Sequence, residues 1–344
     1  MISLWVLAIL VTFAVGIGYR SSLHLRLSRY YRDSLRAGFL ARSGVEQALS
    51  LLKEDSSDPQ TKEYDTIDEC GVSLKGRNER DLFSRQLENN AGMFRIGYDD
   101  AKEKFKYGMQ DEESKININF YDPIHQQMLA VLLKEKNISD DREAFDLAGF
   151  IMEWINPNNK SSIAKKGPLK APEELSAVIE YFYALKGGNN YQQKAREVFG
   201  KIENLITIYG KGGINLNTAD SEVLEVLIKA VVQDMKDSGE PDIPTDEDIS
   251  RLLNKVEDYR NGFRENHSLY FKSSNINPQD IKEALGLTGQ INNQARIIDA
   301  MAGFLCAASH YFRIESTGSL PQADKKIKAV YDRLKHKIVY WRQN

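Results

Sequence analysis

Cysteine is almost absent. Cys70 and Cys306 are the only two in 344 residues, and one pairing at most excludes a disulfide-stapled scaffold. Cys306 sits in the small apolar run Phe304-Leu305-Cys306-Ala307-Ala308 and is expected to pack in a core. The five histidines, His24, His125, His267, His310 and His336, are scattered, with no zinc-ligand spacing among them. No G-x-S-x-G, phosphate-loop or dinucleotide fingerprint occurs, and the turn at Gly210 to Gly213 lacks the lysine placement and spacing of a phosphate loop. These absences argue against an enzyme. A net charge of −3 supplies no global attraction to nucleic acid or anionic membranes. Proline is missing between Arg20 and Glu54, acids are missing before Asp33, and charge of either sign is missing from Met1 to Tyr19.

That uncharged stretch is rich in Ile, Leu, Val, Phe and Trp. An apolar run of roughly 18 residues or more can cross a bilayer as a helix. A cleaved signal peptide would carry a basic start, a shorter apolar core and a small-residue cleavage site, none of which is seen. Helix formers continue without a break, predicting one helix from Met1 to about Glu54, roughly 80 Å long. Past the span stand Arg20, Arg26, Arg29, Arg32, Arg36 and Arg42 against Asp33 alone. The positive-inside rule would place that flank in the cytoplasm; read as a helix face, it is a solvated basic stripe. Further on, Phe39, Leu40, Val45, Leu49 and Leu52 form an apolar stripe, with Gly38, Ala41, Gly44 and Ala48 small enough for close approach. This half of the helix is expected to be covered by a sheet.

A polar loop is expected from Asp55 to Gly76, after which the hydrophobic period falls to two. Phe94/Ile96/Tyr98, Phe105/Tyr107/Met109 and Ile116/Ile118/Phe120 read as strands of an antiparallel sheet, with turns at Asp99-Asp100 and Asp111-Glu112-Glu113. From Tyr121 the period is helical for about 180 residues. Ile116-Asn117-Ile118-Asn119, Ile214-Asn215-Leu216-Asn217 and Asn275-Ile276-Asn277-Pro278 form a weak internal repeat, each leading into a helix. Thr245 with Asp248 resembles a capping box. After Ala308 period two returns: Phe312 and Ile314, a turn at Thr317-Gly318-Ser319, then Ile327/Ala329/Tyr331 and Ile338 to Trp341. Half-sheets on either side of a helical block are most economically one sheet carrying an insertion. The fold class is therefore α+β. Its parts are residues 1–24 (membrane-spanning), 25–120 (helix and first strands), 121–305 (helical insertion) and 306–344 (last strands).

This order resembles the type IV pilin-like plan, and its segments resemble the minor pseudopilin K family of type II secretion. The similar stretches are Leu4-Trp5-Val6-Leu7-Ala8-Ile9-Leu10, Ala41-Arg42-Ser43-Gly44-Val45-Glu46, Glu113 to Asn119, Glu153-Trp154-Ile155, Gly213 to Ala219, Tyr311 to Ile314 and Val339 to Arg342. The resemblance implies a single-pass inner-membrane protein with its globular part in the periplasm, against the positive-inside reading. It implies a tip position in the pseudopilus, a role in starting its assembly, and partners among the I- and J-type minor pseudopilins and the inner-membrane assembly platform. The absence of an early acid fits, because K-type members generally lack the glutamate found at the fifth mature position. The basic leader of the family is not seen ahead of the span.

Candidate partner-binding residues are Leu4, Trp5, Leu7, Phe39, Leu40 and Val45. The resemblance also implies structural calcium, for which the acidic run Asp242, Asp246 and Asp248 offers hard oxygen ligands, although acids are attracted to a helix N-terminus in any case. Alternative readings are a minor pilin of a type IV pilus-like machine, or a membrane-anchored helix-hairpin-helix DNA binder built on Ile214 to Ala219. Against nucleic acid stands the charge of residues 121–300, with 21 Lys and Arg against 28 Asp and Glu.

Overall fold

The computed structural model describes residues 2–66, 76–87, 92–99, 105–138, 140–187, 190–265, 270–289 and 292–344. One helix, α1 (Ile2–Ser57), runs unbroken through the predicted span and beyond the predicted stop at Glu54. Its first part is wholly exposed, and it is the one helix among the described residues long and apolar enough to cross a membrane, with a mean hydropathy of 2.2 over its best window. Its last part carries Ala37, Ala41, Val45, Ala48 and Leu52, all fully buried. Asp55, expected in a loop, is buried in the final turn of this helix.

The sheet is antiparallel, in the order β1 (Ser84–Gln86), β2 (Met93–Asp99), β9 (Tyr311–Leu320), β10 (Ala323–Asp332), β11 (Lys337–Gln343). Strand β3 (Phe105–Tyr107) pairs with β2, and β4 (Gln110–Asp111) pairs with β9. A short helix, α2 (Glu79–Phe83), capped by the Asn78 side chain, leads into β1. Early and late parts of the chain thus share one sheet, with β2 registered on β9 from Met93↔Ser319 to Ile96↔Ser316. The stalk helix lies on one face over a core that includes Phe94, Ile96, Phe312, Ile314, Ile327, Ala329 and Tyr331.

Three local expectations need correction. Thr317-Gly318-Ser319 is not a turn but the middle of β9, registered on Lys326, Lys325 and Asp324, and the reversal falls on Pro321-Gln322. Gly318 serves helix packing instead: a Cβ there would overlap the Ala37 carbonyl oxygen and the Ala41 nitrogen. Ile116 to Phe120 is not a third strand of the main sheet. Only β5 (Ile116–Asn117) is extended, and it pairs in parallel with β6 (Ile206–Thr207). Asp111-Glu112-Glu113 is buried, its last two residues opening a 3-10 turn, Glu112–Ser114. Of the expected Asp99-Asp100 turn, Asp99 ends β2 and Asp100 lies outside the described residues.

The insertion comprises α3 (Pro123–Glu135), α4 (Asp141–Ile155), α5 (Pro172–Leu185), α6 (Tyr191–Ile202), α7 (Ser221–Asp237), α8 (Asp246–Glu265), α9 (Pro278–Ala284) and α10 (Asn293–Met301). Aspartate or asparagine side chains at Asp122, Asp140, Asn277 and Asn292 cap four of these helices by accepting a first-turn N–H. The amphipathic faces meet in a second core centred on residues such as Leu129, Leu147, Ile179, Leu227 and Ile298. Val330, Tyr311 and Tyr340 extend that core from the far face of the sheet, so the sheet lies between stalk and insertion. A further parallel pair, β7 (Ile214–Asn215) with β8 (Leu305–Cys306), closes the insertion where the chain returns to the sheet.

Candidate assembly interface

The sequence offered two kinds of functional residue, an exposed stalk and a set of acids, and the structure treats them differently. Leu4, Trp5 and Leu7 are exposed on the first turns of α1, free to meet lipid or other helices. The stripe from Phe39 to Leu52 splits. Val45, Leu49 and Leu52 face the sheet, Leu40 is half-buried at its margin, and Phe39 is 68% exposed. Val45, fully enclosed, therefore has no surface to give a partner, while Phe39 does. Residues not singled out in the sequence join it: Tyr31 and Leu35 stand two turns and one turn earlier, 64% and 67% exposed. The spacing of four residues from Tyr31 to Leu35 to Phe39 is the sequence signal that could have revealed them.

Gly44 seats this half of the helix. A Cβ there would overlap the Ser316 hydroxyl and press on Phe94. The far end of the stalk is fastened by charge. Arg333, following β10, donates to Asp55 at 3.0 Å and to both carboxylate oxygens of Asp65 at 3.1 and 2.9 Å. It also donates to the Ser309 carbonyl at 2.6 Å.

Ser309 continues this network into the insertion. Its N–H donates to Asp65 at 2.7 Å and its hydroxyl to Asp111 at 2.6 Å. Asp111 also accepts from the Asn215 amide at 3.0 Å and the Thr218 hydroxyl at 2.5 Å. Burial pushes Asp65 up to about 7, with Arg333 opposing it, and pushes Asp111 up against the Ser309 and Thr218 hydroxyls and the Glu113 N–H. Glu113 is also raised, to about 7, by burial, while the backbone N–H groups of His310 and Lys211 pull the other way. For Glu112 burial is outweighed by Arg313, Lys115 and the Thr207 hydroxyl, which hold it at about 2. Residues 111–113 thus join β9, the insertion and the stalk end in one buried polar seam.

The asparagine repeat explains how the insertion is built. Asn117 accepts from Asn119 N–H, and Asn119 exchanges hydrogen bonds with both N–H and carbonyl of Leu169 while donating to the Ile208 carbonyl. The second copy does the same. Asn215 accepts from Asn217 N–H, and Asn217 bridges N–H and carbonyl of Phe271 and donates to the Ala307 carbonyl. Asp122 and Asp220, each three residues after its second asparagine, precede α3 and α7. The third stretch is different: Asn277 only caps α9. Because Ile214, Asn215, Leu216, Asn217 and Ala219 are buried, this segment presents no loop to a phosphate backbone.

The acids proposed for calcium are not brought together. Asp248 accepts from Thr245 N–H and from the Asn293 amide, both at 2.9 Å, in the capping box expected from the sequence. Asp242 has φ of 56° and gives its carbonyl to Arg296. Asp246 opens α8. Among the described residues no three His, Cys, Asp or Glu side chains converge as a metal-ligand group. Cys306 packs against Gly213, and burial pushes its thiol up. Its only possible partner within the chain, Cys70, lies outside the described residues.

Searches by sequence find no matching family model and no matching curated protein. Comparison of folds does find a match. A chain of the crystal structure of the GspK-GspI-GspJ complex, from the enterotoxigenic Escherichia coli type 2 secretion system, superimposes with a TM-score of 0.53 at 12% identity. The alignment covers 93% of this chain and 99% of that one. The fold is that of the chain in the complex, a pilin-like plan. Coverage of this extent takes in stalk, sheet and insertion together, so the α+β pilin-like plan holds with its helical block in the middle of the sheet.

Proposed function

We propose that the chain is a minor pseudopilin at the tip of a type II secretion pseudopilus. The apolar part of α1 holds it in the inner membrane with sheet and insertion in the periplasm, and later packs among neighbouring stalks. The helical insertion crowns the sheet and leaves no room for a further subunit above it, so the protein starts the fibre rather than extends it. Its partners are the I- and J-type minor pseudopilins and the inner-membrane assembly platform. The observation that carries this reading is the joint presence of a bare apolar stalk and an insertion locked to the sheet, in a fold shared over nearly its whole length with a chain of a secretion complex.

The test is co-expression of the full chain with the other pilin-like stalk proteins encoded beside it, followed by affinity purification in mild detergent. Equal recovery of two such partners with the chain, and loss of exoprotein secretion on deletion of its gene, are the expected results. Secretion unaffected by the deletion would sink the reading.

A further inference from the structure

The two edges of the sheet are unequal. Strand β1 is three residues long, a common way to blunt an edge, whereas β11 runs for seven residues, Lys337–Gln343. Among the described residues no segment pairs with the outer side of β11. Asn344 N–H donates to the Lys326 carbonyl at 2.9 Å, which makes theirs a hydrogen-bonded pair. Because such pairs alternate, Arg342 and Tyr340 also bond inward, and the N–H and C=O groups of Trp341 and Gln343 point out from the edge.

This edge adjoins the exposed flank of the stalk. Trp341 pairs with Ala329, a core residue beneath α1, so its ring lies on the stalk side of the sheet, 42% exposed. Gln343 packs against Gly38: a Cβ on Gly38 would lie 3.0 Å from its amide nitrogen. Tyr31 and Leu35, seven and three residues before Gly38, share its side of the helix, and Phe39 follows Leu35 by one turn. Open backbone and aromatic side chains are therefore continuous across strand and helix. The helix brings six arginines between Arg20 and Arg42, and Asp33, the one acid among them, is already paired with Arg32.

We propose that the open edge of β11, Trp341 and the Tyr31–Leu35–Phe39 flank of α1 form one docking surface for a second pilin-like chain. That chain adds an extended strand to β11 and lays apolar and acidic side chains along the stalk. Main-chain pairing supplies affinity in such strand addition, while the side-chain anchors supply specificity. The proposal rests on the pseudopilin reading above and adds to it the site and mode of contact.

The experiment uses the full chain in detergent micelles with each neighbouring pilin-like protein as the probe, reading Kd and amide hydrogen exchange. Exchange at Trp341 and Gln343 is expected to slow on binding. Trp341→Ala removes the anchor, and Gln343→Pro removes an outward N–H without touching the β10–β11 ladder; each should weaken one partner at least tenfold with an unchanged melting temperature. Phe39→Ser, on the helix, should weaken the same partner. Binding by the wild type that all three variants leave intact would overturn the docking surface and spare the pseudopilin reading. Binding to none of the neighbours would overturn both. Self-association abolished by Trp341→Ala would make the occupant a second copy and refute the heteromeric proposal.

Discussion

Asparagine is used here in two ways that look alike in the chain. Asn217 holds Phe271 N–H, Phe271 C=O and Ala307 C=O, all buried, so Asn217→Ala strips both Phe271 groups of this partner and leaves the Ala307 carbonyl to the Asp65 N–H alone. A loss of about 2–4 kcal/mol is expected. Asn277→Ala removes one helix cap and should cost about 1 kcal/mol. Chemical denaturation of the two variants checks the contrast; equal effects would refute it. Titration offers a second test at this scale. Glu113 and Asp65 are held at about 7, above their unfolded values, so the folded chain binds these protons more tightly. Their contribution is greatest at acid pH and is lost as pH climbs through about 7. Glu112, held at about 2, acts oppositely and weakens the fold only in strong acid. The melting temperature should therefore fall from pH 5 to pH 8. Glu113→Gln should flatten that fall, reducing the accompanying loss of unfolding free energy by an amount on the order of 2 kcal/mol. A melting temperature that rises over this range would contradict the assignment.

At the scale of elements the decisive contact is helix on strand. Small residues at Ala37, Ala41, Gly44 and Ala48 allow the stalk to descend onto the sheet, and Gly318 answers them from β9 with no side chain at all. Gly318→Val would drive two methyl groups into the backbone of α1, which cannot yield as a flexible side chain would. A cost of about 3 kcal/mol or more is expected, visible as a lower denaturation midpoint. The variant should also expose Phe94 and Ile314 to a hydrophobic dye. A wild-type midpoint would mean that the stalk does not sit where it is placed here.

For the whole molecule, the issue is whether head and insertion act as one body. Two apolar cores lie on opposite faces of one sheet, and the polar seam from Asp55 through Arg333, Asp65 and Ser309 to Asp111 and Asn215 crosses between them. On the far side Glu173 at the start of α5 accepts from Tyr340 and Arg342 of β11, at 2.9 and 2.8 Å. Opening either unit would strand buried charge, so calorimetry should record a single unfolding transition. Two resolved transitions would show a hinge instead of a rigid crown, and would weaken the case for a tip that blocks further growth.

The sequence by itself determined the stalk, the sheet–insertion–sheet order and the capping of several helices. Each is written in local periodicity or in a side chain a few residues from the backbone it serves. The resemblance in short segments supplied the fold family that the structural match then bore out. Other features depended on partners far along the chain. Gly318 read as a turn because glycine marks turns, and only the arrival of α1, some 280 residues earlier, made it a packing position. Ile116 alternates like a sheet strand, yet its ladder partner is Ile206 within the insertion. Asp248 reads in the chain as an acid near a helix start, and only the fold shows Asn293, 45 residues on, joining Thr245 as its donor. Phe39 and Val45 belong to one apolar stripe, and only the position of the sheet decided which was buried and which was left exposed.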